Sequence, residues 1–307
     1  MRSIKIKAPA SVANLVCGYD VIGMCLHEPY DIMELKLIDE KKVIIHSSKG
    51  FELPTDPAKN TAGAPLLEIL KCIDDNIGFE LTITKNIKPG SGLGSSAASA
   101  SGAAVAANML LGNRFSKVQL VEFAMCGEEI ASGVKHADNV APVVYGGITL
   151  IRSLNPLDIV SIPSLPLFVT VVHPQIEIKT SEARKILPKE VPLKDAVKQW
   201  ANVGALVAGL LKIDYGLIGR SLEDVLVEPV RSKLIPGYEA VKQGCKEVGV
   251  LGGGISGSGP SLFMLSVDRE TAVKAEGVMK RVYQELGIDH RTYVTTANND
   301  GCTIINN

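Results

Sequence analysis

No C-x-x-C pair occurs in this chain. Its six cysteines (Cys17, Cys25, Cys72, Cys126, Cys245, Cys302) lie far apart, so neither a zinc site nor a disulfide framework is indicated, and reduced thiols in a cytoplasmic protein are the expectation. No long basic block interrupts the mixture of lysines, arginines and acids, which removes the footprint of a nucleic-acid binder. The N-terminus, MRSIKIKAPA, lacks the apolar core of a signal peptide; Ile4 and Ile6 alternate with lysines as in a strand. Two charge-free stretches, around Ser91 to Asn108 and Val248 to Val267, carry too much Gly and Ser to be membrane spans. There is no internal repeat. Both common nucleotide fingerprints are missing too: no lysine completes a Walker A loop, and Gly90 and Gly92 are followed by Ser95 where G-x-G-x-x-G requires glycine.

What is present is a 307-residue chain, 46% apolar and 21% charged, with a formal net charge of -1. That is the profile of a soluble globular protein with room for two domains. The first half alternates strand-like pieces (Ile4 to Lys7, Asp31 to Ile38, Val43 to Ser47, Leu81 to Ile87) with helical ones. A proline-rich passage, RSLNPLDIVSIPSLPLF, breaks the periodicity and marks a boundary, giving domains 1–155 and 156–307. Beyond it come a strand LFVTVVHP, helices over Ser181 to Leu187, Leu193 to Leu211 and Tyr238 to Val248, and a strand PSLFMLSV. The class is α+β.

One segment stands out. PGSGLGSSAAS, Pro89 to Ser99, has three glycines, four serines and no charge. The half-buried strand LTITKNI precedes it, and SAASASGAAVAANMLL, a run of small helix formers ending at Gly112, follows. Strand, glycine loop and helix leave unpaired amide N–H groups and a positive helix end in the loop, where an anion sits well. Gly90, Gly92 and Gly94 allow a phosphate to approach the backbone closely; Ser95 and Ser96 can cap the helix or lend a hydroxyl to a phosphate-bound metal. A small-residue helix packed tightly on a sheet is the plainer alternative.

The loop PGSGLGSSA resembles the phosphate loop of the GHMP kinases. Two further segments, APASVANLVCGYDVIGMCL and GGGISGSGPSLFML, resemble that family's other motifs in the right order. HADNVAPVVYGG (His136 to Gly147), KTSEARKILP (Lys179 to Pro188) and VEPVRSKLIPG (Val227 to Gly237) are most similar to members that phosphorylate the side-chain hydroxyl of L-homoserine. The resemblance implies an N-terminal α/β domain with a left-handed crossover, a ferredoxin-like C-terminal domain, and an active site between them. It also implies ATP and Mg²⁺ and, as is common in the family, a homodimer. In the first motif Cys17-Gly18-Tyr19-Asp20 departs from the usual G-P/V-G-F-D, which predicts altered packing.

Residue by residue, the resemblance implies a phosphate cradle over Pro89, Gly90, Ser91, Gly92, Leu93, Gly94, Ser95, Ser96, Ala97, Ala98 and Ser99. The helix SKVQLVEFAMCGEEIASG opens on a capping-box pair, Ser116 and Gln119, and buries a stripe of Leu120, Phe123, Ala124, Gly127, Ile130 and Ala131. Glu128 lies at the margin of that stripe; it matches the metal-binding glutamate, with Ser96 beside it. An ordinary salt bridge is the alternative. For the acceptor, Arg184 and Arg231 suit the carboxylate, Asp20 the ammonium, and Asn14, His136, Asn139 and Thr180 line the pocket. Arg184, Asp138 and Asn139 form the candidate catalytic set; Asn139 is expected to face the hydroxyl, with the proton leaving to phosphate or solvent, and Asp138 as general base is the alternative. Gly257 and Ser258 shape the acceptor side, with a plain structural turn as the alternative.

Overall fold

The structure is a computed structural model that describes residues 2–163, 165–178 and 180–305, without the side chains of residues 180 and 181. In chain order the first part comprises β1 (Ser3–Ala13), β2 (Ile22–Ile38), β3 (Val43–Ile45), β4 (Lys49–Gly50), α1 (Gly63–Lys71), β5 (Gly78–Lys85), α2 (Ser95–Leu110), α3 (Lys117–Ser132), α4 (Val140–Tyr145), β6 (Ile148–Leu154) and β7 (Leu157–Ile162). The second comprises β8 (Phe168–Pro174), α5 (Thr180–Lys185), α6 (Leu193–Lys212), α7 (Tyr215–Ser221), α8 (Glu228–Arg231), α9 (Tyr238–Glu247), β9 (Gly252–Ile255), β10 (Leu262–Ser266), α10 (Arg269–Glu285), β11 (His290–Thr296) and β12 (Thr303–Ile304).

The long β2 organises the first sheet. One edge pairs antiparallel with β1; the other pairs with β6 through Ile22–Met24 and with β5 through Ile32–Ile38. β3 lies parallel to β5, and α1 makes the crossover between them. The second sheet is antiparallel in the order β11-β8-β10-β9, the strand arrangement of a ferredoxin-like βαββαβ unit.

The small residues of α2 have a packing reason. Ala97, Ala100, Ala103, Ala104 and Ala107 are fully buried, and a Cβ at Gly102 would fall 2.2 Å from Met33 Sδ on the sheet. The helix therefore lies close enough to hold its first turn in register with the strand ends. One core continues from beneath α2 to Val169, Val171, Phe263 and Leu265 of the second sheet. A smaller core fills the opposite face of that sheet, where Val172, Leu262 and Met264 meet Val241, Cys245, Ala275 and Met279.

The expected break after residue 155 falls inside a hairpin. Asn155 and Pro156 form the turn between β6 and β7, both in the first sheet, and β12 returns from the far end of the chain to β1. Pro156 interrupts the period without ending the sheet because it precedes the strand, where no ladder N–H is needed. All six cysteines are unpaired. Among the described residues no helix is long and apolar enough to cross a membrane.

Candidate active site

The glycine loop opens into a cavity of about 430 Å³ between the two sheets. Gly94 is the N-cap of α2, in the left-handed region at φ 63°, and no side chain caps the helix. Ser95 instead donates to the Ile87 carbonyl at 2.9 Å, which corrects its expected capping role. The first-turn amides thus keep their hydrogen-bonding capacity for a ligand. Pro89, Gly90, Gly92, Gly94, Ser95, Ser96 and Ser99 line the cavity. Ser91, Leu93, Ala97 and Ala98 do not: they are buried, Ser91 accepting from Leu93 N at 3.3 Å and the alanines turned into the core by the helix period.

The third motif folds against this loop. Ser256 Oγ donates to Gly92 O and Ser261 Oγ to Ser91 O, each at 2.6 Å. Their side chains fix the loop from the second sheet, and Gly257 and Ser258 between them line the cavity.

A buried ion pair at the base of the loop was not anticipated. Lys85 pairs with Asp31, and its Nζ also donates to Ser95 O at 2.7 Å and Ser99 Oγ at 2.9 Å. Asp31 accepts from the amides of Asn86 and Ile87. The pair ties β2 to the exit of β5 and to the first turn of α2. A signal existed: Lys85 shares the parity of Leu81, Ile83 and Ile87, and Asp31 that of Met33 and Leu35, so each charge stands on the buried side of its strand.

Helix α3 begins with the expected capping box, Ser116 bonding Gln119 N and Gln119 Oε1 bonding Ser116 N. Its buried face is turned from the expected stripe. Leu120, Val121, Ala124, Met125, Gly127 and Glu128 are buried, while Ile130 and Ala131 face outward. Glu128 is therefore inside the packed face and not at its margin. Burial raises its pKa, against a hydrogen bond from Ser96 and the charge of Lys85, and its Oε1 has no hydrogen-bond partner among the described residues. A single under-satisfied carboxylate beside a hydroxyl, in a phosphate-sized cavity, fits magnesium, which takes one or two carboxylates and fills its remaining positions with phosphate oxygens and water.

Asp138 is also buried in the cavity wall. Burial and the negative charges of Asp20 and Glu128 push it up to about 7. Its neighbour Asn139 accepts from Ser11 Oγ at 2.8 Å, which leaves the amide nitrogen as the group available to a ligand.

At the acceptor end Arg184 and Asp20, assigned separately to carboxylate and ammonium, hold each other through two 3.0 Å hydrogen bonds. Arg231 is anchored by Nε to Ala183 O and by Nη1 to Gly257 O, both at 3.1 Å. The Tyr19 ring faces both guanidinium groups, 5.6 Å from that of Arg184 and 5.0 Å from that of Arg231. This cation–π contact gives the aromatic of the first motif a role beyond packing. Asn14 joins the same cluster, donating to Gly257 O at 2.9 Å and accepting from Asp20 N. His136 lines the cavity with a buried Nε2 that has no hydrogen-bond partner among the described residues, and burial lowers its pKa. The side chain of Thr180 lies outside the described residues. Glu177 and Ile178 complete this wall.

The model of the GHMP kinases N terminal domain matches residues 62–147 and that of the GHMP kinases C terminal domain residues 206–285. The chain is 47% identical to a homoserine kinase of Chlorobium phaeobacteroides, over 92% of each chain. It is 40% identical to one of Methanococcus vannielii, over 92% of this chain and 94% of that one. The crystal structure of homoserine kinase from Cytophaga hutchinsonii superposes with a TM-score of 0.95 at 48% identity, covering 99% of this chain and 98% of the other.

Proposed function

We infer that this chain, which belongs to the homoserine kinases of the GHMP kinase family, phosphorylates the side-chain hydroxyl of L-homoserine with ATP as donor. One observation carries the assignment of the site: a single cavity brings together an uncapped helix start, an under-satisfied buried carboxylate and two arginines. Phosphoryl transfer requires mainly positioning and charge neutralisation, and the cavity supplies both.

The backbone of the glycine loop and the start of α2 hold the phosphates, with the Lys85–Asp31 pair bracing the helix start from behind. Ser96 and Glu128 would hold the magnesium ion, which neutralises charge on the transferred group when bound. The acceptor carboxylate takes Arg184 and Arg231; Asp20, relieved of Arg184, takes the ammonium. Asn14, His136 and Thr180 complete the pocket around them.

Asn139 donates its amide to the acceptor hydroxyl oxygen, so that the hydroxyl proton is aimed at the phosphate. The proton leaves with the phosphate, and no role as its acceptor is assigned to Asp138. We place the reaction in the cytoplasm, where six unpaired thiols persist.

The test is ADP release with L-homoserine against mevalonate, shikimate and L-serine. Turnover restricted to L-homoserine is the expected result. Preference for an acceptor without an ammonium group would overturn the assignment of Asp20.

A further inference from the structure

Glu228 opens the short helix α8 that ends on Arg231, and its carboxylate faces inward, with the residue 5% exposed. Oε1 accepts from Ile255 N of β9 at 2.9 Å, while Oε2 accepts from Tyr238 Oη at 2.7 Å and Lys242 Nζ at 2.6 Å, both on α9. Lys242 also donates to the Tyr238 oxygen at 2.8 Å. A buried carboxylate without such partners would be destabilising. With them it pins α8 to two other elements.

β9 is the last strand of its sheet, hydrogen-bonded to β10 on one side, and on its other edge Glu228 supplies an acceptor to the Ile255 amide. The strand is shaped for this contact. A Cβ at Gly254 would fall 1.7 Å from Glu228 Oε1, so the third motif has glycine where the carboxylate lies against the chain. The entry of α8 is fixed as well, Asp224 accepting from the amides of Leu226, Val227 and Glu228.

Helix α8 is thus attached to the third motif at both of its ends. Glu228 holds Ile255 N at the first, and Arg231 Nη1 donates to Gly257 O at the last. Arg231 is 3% exposed and is anchored by the carbonyl oxygens of Ala183 and Gly257. Carbonyls hold a guanidinium without neutralising it, so its charge remains for an acceptor carboxylate. A slip of α8 along β9 would carry that charge away from the Tyr19 ring and from the acceptor end of the cavity.

We propose that Glu228 is a positioning residue for the acceptor: by locking α8 to β9 and α9 it sets where the Arg231 guanidinium stands, while itself lying outside the cavity lining. This role rests on Arg231 holding the acceptor carboxylate, as assigned above. The two-ended attachment distinguishes it from an ordinary buried ion pair, because one four-residue helix has the anchor at its first position and the ligand-facing group at its last.

Steady-state kinetics with L-homoserine, beside a direct titration with ADP, test the role. Glu228→Gln should raise KM for L-homoserine about tenfold, with kcat within about twofold of the parent and ADP affinity unchanged. In an Arg231→Met background, itself raised in KM, the same change should add nothing further to KM, yet lower the melting temperature as much as it does in the parent. A structural ion pair gives the loss of stability alone; only a positioning role gives a KM increase that vanishes with Arg231. Lys242→Met removes one donor and leaves the carboxylate its other two hydrogen bonds. It should raise KM about threefold with the same dependence on Arg231, and it decides the matter if Glu228→Gln does not fold. Unchanged KM in the deciding variant, a repeat of the full KM increase in the Arg231→Met background, or a matching loss of ADP affinity overturns the proposal. Parental KM in Arg231→Met alone overturns the assignment of Arg231 and the proposal with it, and that result is read without any change at Glu228.

Discussion

Arg184 grips Asp20 through two parallel 3.0 Å hydrogen bonds, joining α5 to the first-motif loop across 164 residues of chain. Each group is the natural partner of one end of a zwitterionic amino acid. Under the proposed assignment a bound acceptor would replace this ion pair, so that the charges stay matched before and after binding and neither is left unpaired.

Removing either partner should weaken the acceptor and spare the nucleotide. Arg184→Met and Asp20→Asn should each lower kcat/KM for L-homoserine about 100-fold, with nucleotide affinity unchanged in a direct binding titration. The double variant should lose less than the product of the single losses, because both remove the same pair.

Glu128→Gln should separate stability from activity. The buried carboxylate is disfavoured without a metal, so the metal-free variant should melt higher than the parent at pH 8. The magnesium-dependent rise in melting temperature of the ADP complex should be lost, and turnover should fall about 100-fold or more. Ser96→Ala should weaken the same magnesium response. Ser95→Ala should leave it intact and cost about 1 kcal/mol of stability through the lost bond to Ile87.

Asp138 makes a signed prediction about pH. Its folded pKa lies near 7, above the unfolded 3.8. Its contribution to stability is thus complete below about pH 4 and is lost as pH rises through 7. Asp138→Asn should remove that slope, a relative gain of up to about 4 kcal/mol at pH 8 compared with pH 4, read from urea midpoints. Turnover of the variant should stay within about tenfold of the parent, with the pH profile of kcat unchanged; a 100-fold loss would identify Asp138 as the base.

Gly92→Ala should damage the loop. A Cβ there would lie 2.6 Å from Gly259 O and 2.7 Å from Ser256 O, on a backbone with φ 81°. The loop must part from the third motif, and we expect a loss of at least 2 kcal/mol in stability, together with weaker ATP binding by calorimetry.

Much of this site was legible because its logic is local. The Gly94 loop start, the α3 capping box and the motif residues Asn14, Asn139 and Arg231 sit where short stretches of sequence place them. What escaped depends on contacts made at a distance. The face of α3 was misjudged because Ile130 and Ala131 look like core, yet burial of Val121 and Met125 rotates Glu128 inward. Tyr19 seemed a packing residue until Arg184 and Arg231, both more than 160 positions away, closed over its ring. The Lys85 and Asp31 pair could have been found by parity alone, since a charge on the buried side of each of two strands demands a mate.

The pairing of β12 with β1, Ile6 beside Ile304 and Lys7 beside Thr303, bears on how the molecule is assembled. On a ribosome the outer edge of β1 waits uncovered while the whole second sheet is being made, and an uncovered strand edge is a place where neighbouring chains adhere. A proteolytic nick just after β7 would likewise leave a front fragment without its closing strand, so the two halves form one assembly unit even though each has its own sheet.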